Sequence, residues 1–248
     1  MASGVSLVTP NKIANTESMD YYSLLRNTAL EQRVEYRYES TVGAGLPVIS
    51  TVQSMLETGD KIRRIEAILS GTLSYIFNTF SLARSFSDTV LFAKEQGFTE
   101  PDPREDLSGM DVARKALILA REIGYELEMS DADPEALISE ACIKAKSINE
   151  AMNFLAKDDK KWYERLERLQ KDGKVLRYIA NISEGKIKIA VEEIDAGHPF
   201  YNLSGPDNIV AIYSERYPIN PLVIKGAGAG AIVTAGGMMG DVLRMVHE

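Results

Sequence analysis

The chain has 248 residues, 45% of them hydrophobic and 26% charged, with a formal net charge of −8 and a sequence pI near 5.0. That is enough material for one large domain or two small ones around a proper core, and the scattered Lys and Arg residues exclude the electrostatic footprint of a nucleic-acid binder. Cys142 is the single cysteine, so an intrachain disulfide is impossible. With no apolar run near the ~20 residues that span a bilayer and no secretory signal in MASGVSLVTPNK, we expect a cytoplasmic protein with no membrane partner.

In chain order, VSLVT reads as a short buried strand, PNK as a turn, and Ala14 to Leu30 as a polar helix. VEYRYEST, the helical PVISTVQSMLETG and KIRRIEAILSG then alternate β-rich and 3.6-period segments, which predicts a mixed β-sheet with helices packed on it, an α/β (α+β) fold. Thr72 to Leu155 reads as consecutive helices, interrupted by the loop Gly97 to Leu107 and restarted at Asp131-Ala132-Asp133-Pro134. Cys142, in the helical ALISEACIKAKS, reads as a small buried hydrophobe. After the charged helix DKKWYERLERLQKDG, the segments VLRYIANI, KIKIAVEEI and NIVAIYSERY suit antiparallel strands with one solvated face, the first two joined by a hairpin at Gly185. PLVIKGAGAGAIVTAGGMMGDVLRMV closes the chain as a buried strand, a Gly-rich turn and a helix.

Gly97 to Lys115 concentrates five carboxylates and three cations around two prolines. The prolines fix two φ angles, so the acidic side chains stand on a stiff loop that suits ligand positioning; the alternative is a solvated acidic turn, with Ser108 and Asp111 as a helix capping box. Asp111 and Lys115 lie four apart on one helix face, the spacing of an ordinary surface salt bridge. Val112, Ile118 and Leu119 flank Lys115, whereas Arg114 and Arg121 mark the solvent face. A partly desolvated lysine beside a carboxylate suits proton transfer at an alcohol or carbonyl oxygen.

Lys225 to Ala231 matches G-x-G-x-x-A between a strand and a helix, the context of a phosphate cradle or of tight helix–sheet packing. It lies too near the C-terminus to be a whole dinucleotide unit. Gly43 and Gly45 stand between a strand and a helix opened by Pro47, where a tight turn could also receive an anion or offer carbonyls to a cation. His198 reads as a turn residue and His247 as a frayed terminus, which supports neither a zinc site nor a His-based triad.

VTPNK, ESTVGAGLPVI, LSGTLSYIFN, GFTEPDPREDLSGMDVARK, GPDNIVAIYSERY and GAGAGAIVTA occur in an order that resembles homoserine dehydrogenase, most closely the form fused behind an aspartokinase. The resemblance covers nearly the whole chain. It implies NADP- or NAD-dependent interconversion of L-homoserine and L-aspartate 4-semialdehyde in threonine and methionine biosynthesis. It also implies Lys115 as general acid and base, Asp111 as the residue that binds and orients substrate, and Lys12 as a second active-site lysine near substrate and nicotinamide. By the same resemblance Glu100 receives the substrate amino group, Asp106 supports the same site, and Gly97 and Gly230 match backbone positions at the cofactor. Glu39, Val42, Ala44 and Leu46 match a loop whose carbonyls hold a sodium ion in some members. Phe98 departs from the family, which usually has a tyrosine there.

The resemblance divides the chain into a C-terminal remnant of a Rossmann-type NAD(P)-binding domain at 1–38, a catalytic and dimerisation domain at 39–220, and a strand and helix returning to the cofactor side at 221–248. The family's first strand and Gly-rich fingerprint have no counterpart ahead of VTPNK, so the chain alone is expected to be inactive, and a homodimer or higher oligomer is expected. The other readings are a non-catalytic dimerisation module or split subunit, with VLRYIANI and KIKIAVEEI pairing across an interface, and a phosphate-binding module built on GAGAGA.

Overall fold

The computed structural model describes residues 1–247. Its elements run β1 (Leu7–Val8), α1 (Ile13–Thr16), α2 (Met19–Gln32), β2 (Tyr36–Arg37), α3 (Val48–Glu57), β3 (Ile62–Ile68), α4 (Gly71–Thr79), α5 (Phe86–Glu95), α6 (Pro103–Leu107) and α7 (Met110–Glu122). They continue through α8 (Glu140–Ile143), α9 (Ile148–Leu155), α10 (Asp159–Lys171), β4 (Val175–Ser183), β5 (Lys186–Ile194), β6 (Asp207–Ser214), β7 (Leu222–Ala227) and α11 (Ala231–His247). No helix among the described residues is long and apolar enough to cross a membrane.

The α/β character expected from the pattern is present, but the single mixed sheet is two sheets. One is a five-stranded, wholly antiparallel sheet in the order β5-β4-β3-β6-β7; the other is the parallel pair β1-β2, joined through α1 and α2. The β4-β5 hairpin turns at Glu184 and Gly185, both at positive φ (52° and 71°), the pair of left-handed residues that a two-residue hairpin turn requires. Helices start where side-chain oxygens take up free N–H groups: Ser18, Ser70, Ser85, Asp102, Ser139 and Ser147 each accept from their helix's first turn.

Several local expectations fail for tertiary reasons. Leu7 is exposed, so the first strand is not buried, and the polar helix that follows is broken at Glu17-Ser18. Asp131 to Pro134 starts no long helix. Pro134 instead bridges Ile189 and the Glu135 N–H donates to the Ile189 carbonyl, which covers part of the outer edge of β5. VLRYIANI is an interior strand with β3 and β5 on its two sides, so it cannot pair across an interface. Its central residues, like those of β6, are buried on both faces rather than one. The helices cover one face, and the segment after β5 folds Phe200 and Leu203 beneath the other, against Ile68, Ile179 and Ile209. The buried Arg177 guanidinium holds that segment by donating to the carbonyls of Phe200, Tyr201 and Leu203 at 3.1, 2.8 and 3.2 Å. The GAGAGA-side strand β7 is a half-exposed edge, not a buried strand.

Cys142 is buried, as its apolar neighbourhood suggests. His198 finds a partner the sequence does not reveal, Glu66 on β3, with Nε2 3.2 Å from Oε2. The His247 side chain lies outside the described residues.

α7 is tightly constrained at its start. Its first residue follows Gly109, at φ 72°, where an added Cβ would stand 2.3 Å from the Tyr178 hydroxyl and 2.9 Å from Pro134 Cβ. Gly109→Ala is therefore expected to cost about 2–4 kcal/mol from left-handed strain and overpacking together. Denaturant unfolding measures it, and a loss below ~1 kcal/mol would show that the contact can relax.

Candidate active site

Asp111, in the first turn of α7, sits between two lysines. Its Oδ2 is 2.8 Å from Lys115 Nζ and its Oδ1 is 3.2 Å from Lys12 Nζ, which the β1–α1 turn delivers from the other end of the fold. Lys115 Nζ also donates to the Leu69 carbonyl at 2.7 Å, at the end of the central strand β3. An ammonium has three protons; Asp111 and Leu69 occupy two, and the third is free for an incoming oxygen. Lys115 is largely buried, with 11% of its side chain exposed, so the packed face expected from its apolar neighbours is correct.

The other half of that helix reading is not. Arg121 does not mark a solvent face: it is 4% exposed, and its guanidinium donates to the carbonyls of Leu127, Asn15 and Glu17 at 2.9, 3.0 and 2.7 Å. Arg114 is half-buried and lines the cleft beside Asp111. The capping box is absent as well. Gly109 is the N-cap of α7 with no side-chain cap bond, while Ser108 Oγ donates to the Glu105 carbonyl.

An open cleft of about 380 Å³ lies over this group, lined by Ser70, Glu100, Glu105, Asp106, Ser108, Met110, Asp111, Val112 and Arg114. The rim from Gly97 to Asp106 is tethered rather than loose. Asp106 Oδ2 accepts the Glu100 N–H at 2.8 Å, Thr72 Oγ1 lies 2.6 Å from the Phe98 carbonyl, and Asp102 caps α6 ahead of Pro103. The Phe98 ring stacks on Tyr75 at 4.0 Å between centroids. Burial and the nearby Asp111 charge push the Asp106 carboxyl up, against the Glu100 N–H and Thr72, which pull it down. Burial also pushes Asp111 up, but Lys115 and Lys12 pull it further the other way and leave it below the usual carboxylate range.

Glu100, Asp106 and Asp111 thus line one cleft, and Asp111 ties to it Lys115 and Lys12, the latter lining a second cleft that shares Arg114. Gly97, at φ 74°, ends α5 beside the same loop. Gly230, at φ 120°, opens α11, which packs on the 39–46 loop instead. There Glu39 N–H donates to Asp241 at 2.9 Å, and Ser40 Oγ donates to the Thr234 carbonyl at 3.2 Å. An added Cβ at Gly45 would meet the Val233 carbonyl oxygen at 2.5 Å. Glu39 spends its carboxylate on the Ile49 and Ser50 N–H groups at 2.7 and 3.0 Å and on Arg244 at 3.3 Å. Among the described residues no group of three or more His, Cys, Asp or Glu could hold a metal ion.

The family profile described as homoserine dehydrogenase matches residues 47–243. The chain belongs to the homoserine dehydrogenase family. It is 50% identical over 246 residues to the Zea mays chloroplastic bifunctional aspartokinase/homoserine dehydrogenase 1, across 98% of this chain and 26% of that protein. It is 42% identical over 252 residues to the Schizosaccharomyces pombe homoserine dehydrogenase, across 98% of this chain and 67% of that one. A hyperthermophilic archaeal homoserine dehydrogenase solved in complex with NADPH superposes with a TM-score of 0.72 at 26% identity, covering 99% of this chain and 65% of that one. The chain thus spans about a quarter of the length of its bifunctional plant relatives.

Sequence reasoning on this homoserine dehydrogenase chain missed Leu69, Ser70, Thr72 and Arg114 as parts of the cleft. LSGTLSYIFN carried the family resemblance, yet a backbone carbonyl and two small hydroxyl residues have no side-chain signature that marks a site. The lysine–carboxylate group predicts a pH effect. A carboxylate held below its unfolded pKa adds stability that is present above the unfolded value and lost as pH falls through the folded one. Asp111 is half exposed, so Asp111→Asn is expected to cost at most about 1 kcal/mol at neutral pH. That difference should vanish toward strongly acidic pH in urea unfolding; one that does not change with pH would exclude the ion triad as its source.

Proposed function

We propose that the chain supplies the substrate-binding and proton-transfer part of a homoserine dehydrogenase that interconverts L-homoserine and L-aspartate 4-semialdehyde with NADP or NAD. The observation that carries this reading is the largely buried Lys115 ammonium, with two of its protons held by Asp111 and Leu69 and the third free. In the reductive direction the Lys115 ammonium gives its free proton to the aldehyde oxygen as hydride arrives at the carbon; in the oxidative direction that third proton has first left to solvent, and the neutral amine takes the proton of the substrate hydroxyl as the C–H hydride departs. The nicotinamide, when bound, accepts or donates that hydride.

Asp111 binds and orients substrate and holds both lysines in place. Glu100 receives the substrate ammonium from the cleft rim, and Asp106 supports it. Lys12 faces substrate and nicotinamide together. The turn ended by Gly97 and the exposed first turn of α11, opened by Gly230, suit the cofactor, since close backbone approach and free helix N–H groups favour its anionic part. Segments 1–38 and 221–248 are assigned to the cofactor side by this reading. The parallel β1-β2 pair with its helices supports that assignment, because parallel pairing through a helical crossover is the unit of such domains. The pair is only part of a dinucleotide unit, so little or no turnover is expected of this chain alone.

A sodium ion at Glu39, Val42, Ala44 and Leu46 also belongs to the proposal. With the Glu39 carboxylate already spent, a cation there rests on neutral carbonyls, which suits a monovalent ion. Homodimer formation completes it, supported by the half-exposed edge strand β7.

The test is NAD(P)H formation from L-homoserine at alkaline pH, by this chain and by the chain joined to a complete cofactor-binding segment. Lys115→Met in the joined form should lower kcat by about 10²–10⁴ with a smaller change in KM. Undiminished turnover would remove Lys115 from proton transfer. Replacing sodium with a bulky organic cation at constant ionic strength should lower turnover several-fold, and an unchanged rate removes the cation from the reading.

A further inference from the structure

Thr72 Oγ1 makes two short contacts, 2.6 Å to the Phe98 carbonyl oxygen and 2.8 Å to Asp106 Oδ1. A threonine hydroxyl carries one proton, while a carbonyl and an ionised carboxylate only accept. One proton shared between two acceptors gives two weakened, bent bonds, whereas two well-formed hydrogen bonds at these short distances need one neighbour to donate to the hydroxyl. The carbonyl cannot, which leaves the carboxyl. The relay then runs from the Asp106 Oδ1 proton to Thr72 Oγ1 and from the Thr72 hydroxyl to the Phe98 carbonyl. The Glu100 N–H closes on the other Asp106 oxygen at 2.8 Å.

We propose that Asp106 works as a neutral carboxylic acid, and that with Thr72 it is a positioning pair that holds the Phe98–Glu100 segment over the cleft. This deepens the proposed role of Glu100 toward the substrate ammonium and rests on it. Thr72 stands in the first turn of α4, capped by Ser70, so its hydroxyl is anchored to the same chain segment that gives Lys115 its carbonyl partner.

The surroundings favour the neutral form. Among the described residues no ion pair reaches Asp106, since Lys12 and Lys115 are engaged by Asp111 and Arg104 by Asp102. The charged groups that share its cleft are Asp111 and Arg114 from α7, Glu105 from α6 and Glu100 from the loop. Lys12 and Lys115 offset the Asp111 charge, and neither they nor Arg114 pair with Asp106, so a negative charge there stands without a counter-ion. A proton bound this way is present at lower pH and lost as pH rises. Once it is lost, the Asp106 carboxylate and the Phe98 carbonyl compete for the single Thr72 proton, and the rim carrying Glu100 loses one of its ties. Substrate affinity should therefore weaken toward alkaline pH.

Asp106→Asn separates the neutral from the ionised form, because an amide donates to Thr72 and accepts from the Glu100 N–H as a neutral acid does, and cannot ionise. Carbon-13 NMR of the aspartate carboxyls of the full chain, with the Asp106 signal identified by its loss in Asp106→Asn, should show Asp106 titrating above the exposed aspartates. A signal titrating with them or below them overturns the proposal. Kinetics of the chain joined to a cofactor segment give the second readout. The homoserine KM of Asp106→Asn should stay about tenfold below that of Asp106→Ala and lose the alkaline rise of the unmodified protein. Thr72→Val should raise KM more than it lowers kcat, with Thr72→Ser restoring most of the loss. Equal damage from the Asn and Ala variants overturns the neutral acid. A high-titrating Asp106 in a protein that never turns over homoserine would sink the dehydrogenase reading and leave the proton assignment standing.

Discussion

The cleft depends on where α7 is set down. Its N-terminus is pressed against the sheet at Gly109, where the Tyr178 hydroxyl and Pro134 leave no room for a side chain, and its body is buried from Val112 to Arg121 apart from Arg114 and Lys115. With the helix held there, a lysine in its second turn can reach the Leu69 carbonyl at the end of β3 while Asp111, one turn earlier, stays at the mouth of the cleft. Rotating the helix by one residue, about 100°, would take both groups off the cleft. Rigidity of the packing is therefore what gives the lysine a fixed address.

Around that helix, charges are handled in two ways. Where a charge serves only packing, the fold satisfies it chiefly with backbone carbonyls: Arg121, helped by Glu128, ties the α1–α2 junction to the end of α7, and Arg177 ties the 200–203 segment beneath the sheet. Fully buried guanidinium groups are tolerated there because their donors meet carbonyl acceptors in fixed geometry. At the cleft the fold leaves charge partly unspent. Lys115 keeps a free proton, Asp111 remains half exposed, and Glu100 and Arg114 face the opening. That contrast distinguishes a binding site from a salt-bridged surface better than any single residue does.

The dense loop from Gly97 to Lys115 is legible as a candidate site because two prolines, five carboxylates and an i,i+4 aspartate–lysine pair are visible in one stretch of sequence. Lys12 joins that group by family resemblance, since no local pattern links residues a hundred positions apart. Arg121 escapes a local reading because helical periodicity counts a charged residue as solvent-facing, and it cannot know that three carbonyls wait for that guanidinium across the interior. The Asp131 to Pro134 stretch escapes it for a similar reason: a capping pattern is present, but pairing with Ile189 on β5 offers the backbone a better partner than a new helix.

The sequence by itself determined the strands β4, β5 and β6 and the charged helix ahead of them, the stiffness of the acidic loop, the hairpin at Gly185 and, through its ordered motifs, the homoserine dehydrogenase family. These rest on local chemistry: turn residues, caps and 3.6- or 2-residue periods act over a few positions, and so can be read in order. Only the tertiary structure decided that β1-β2 stands apart from a wholly antiparallel sheet, that β4 is interior, and that Thr72, Leu69 and Arg114 border the cleft. Those facts come from pairings between residues far apart in the chain, chosen by which buried donors and acceptors can be satisfied at once, and no local pattern records that choice.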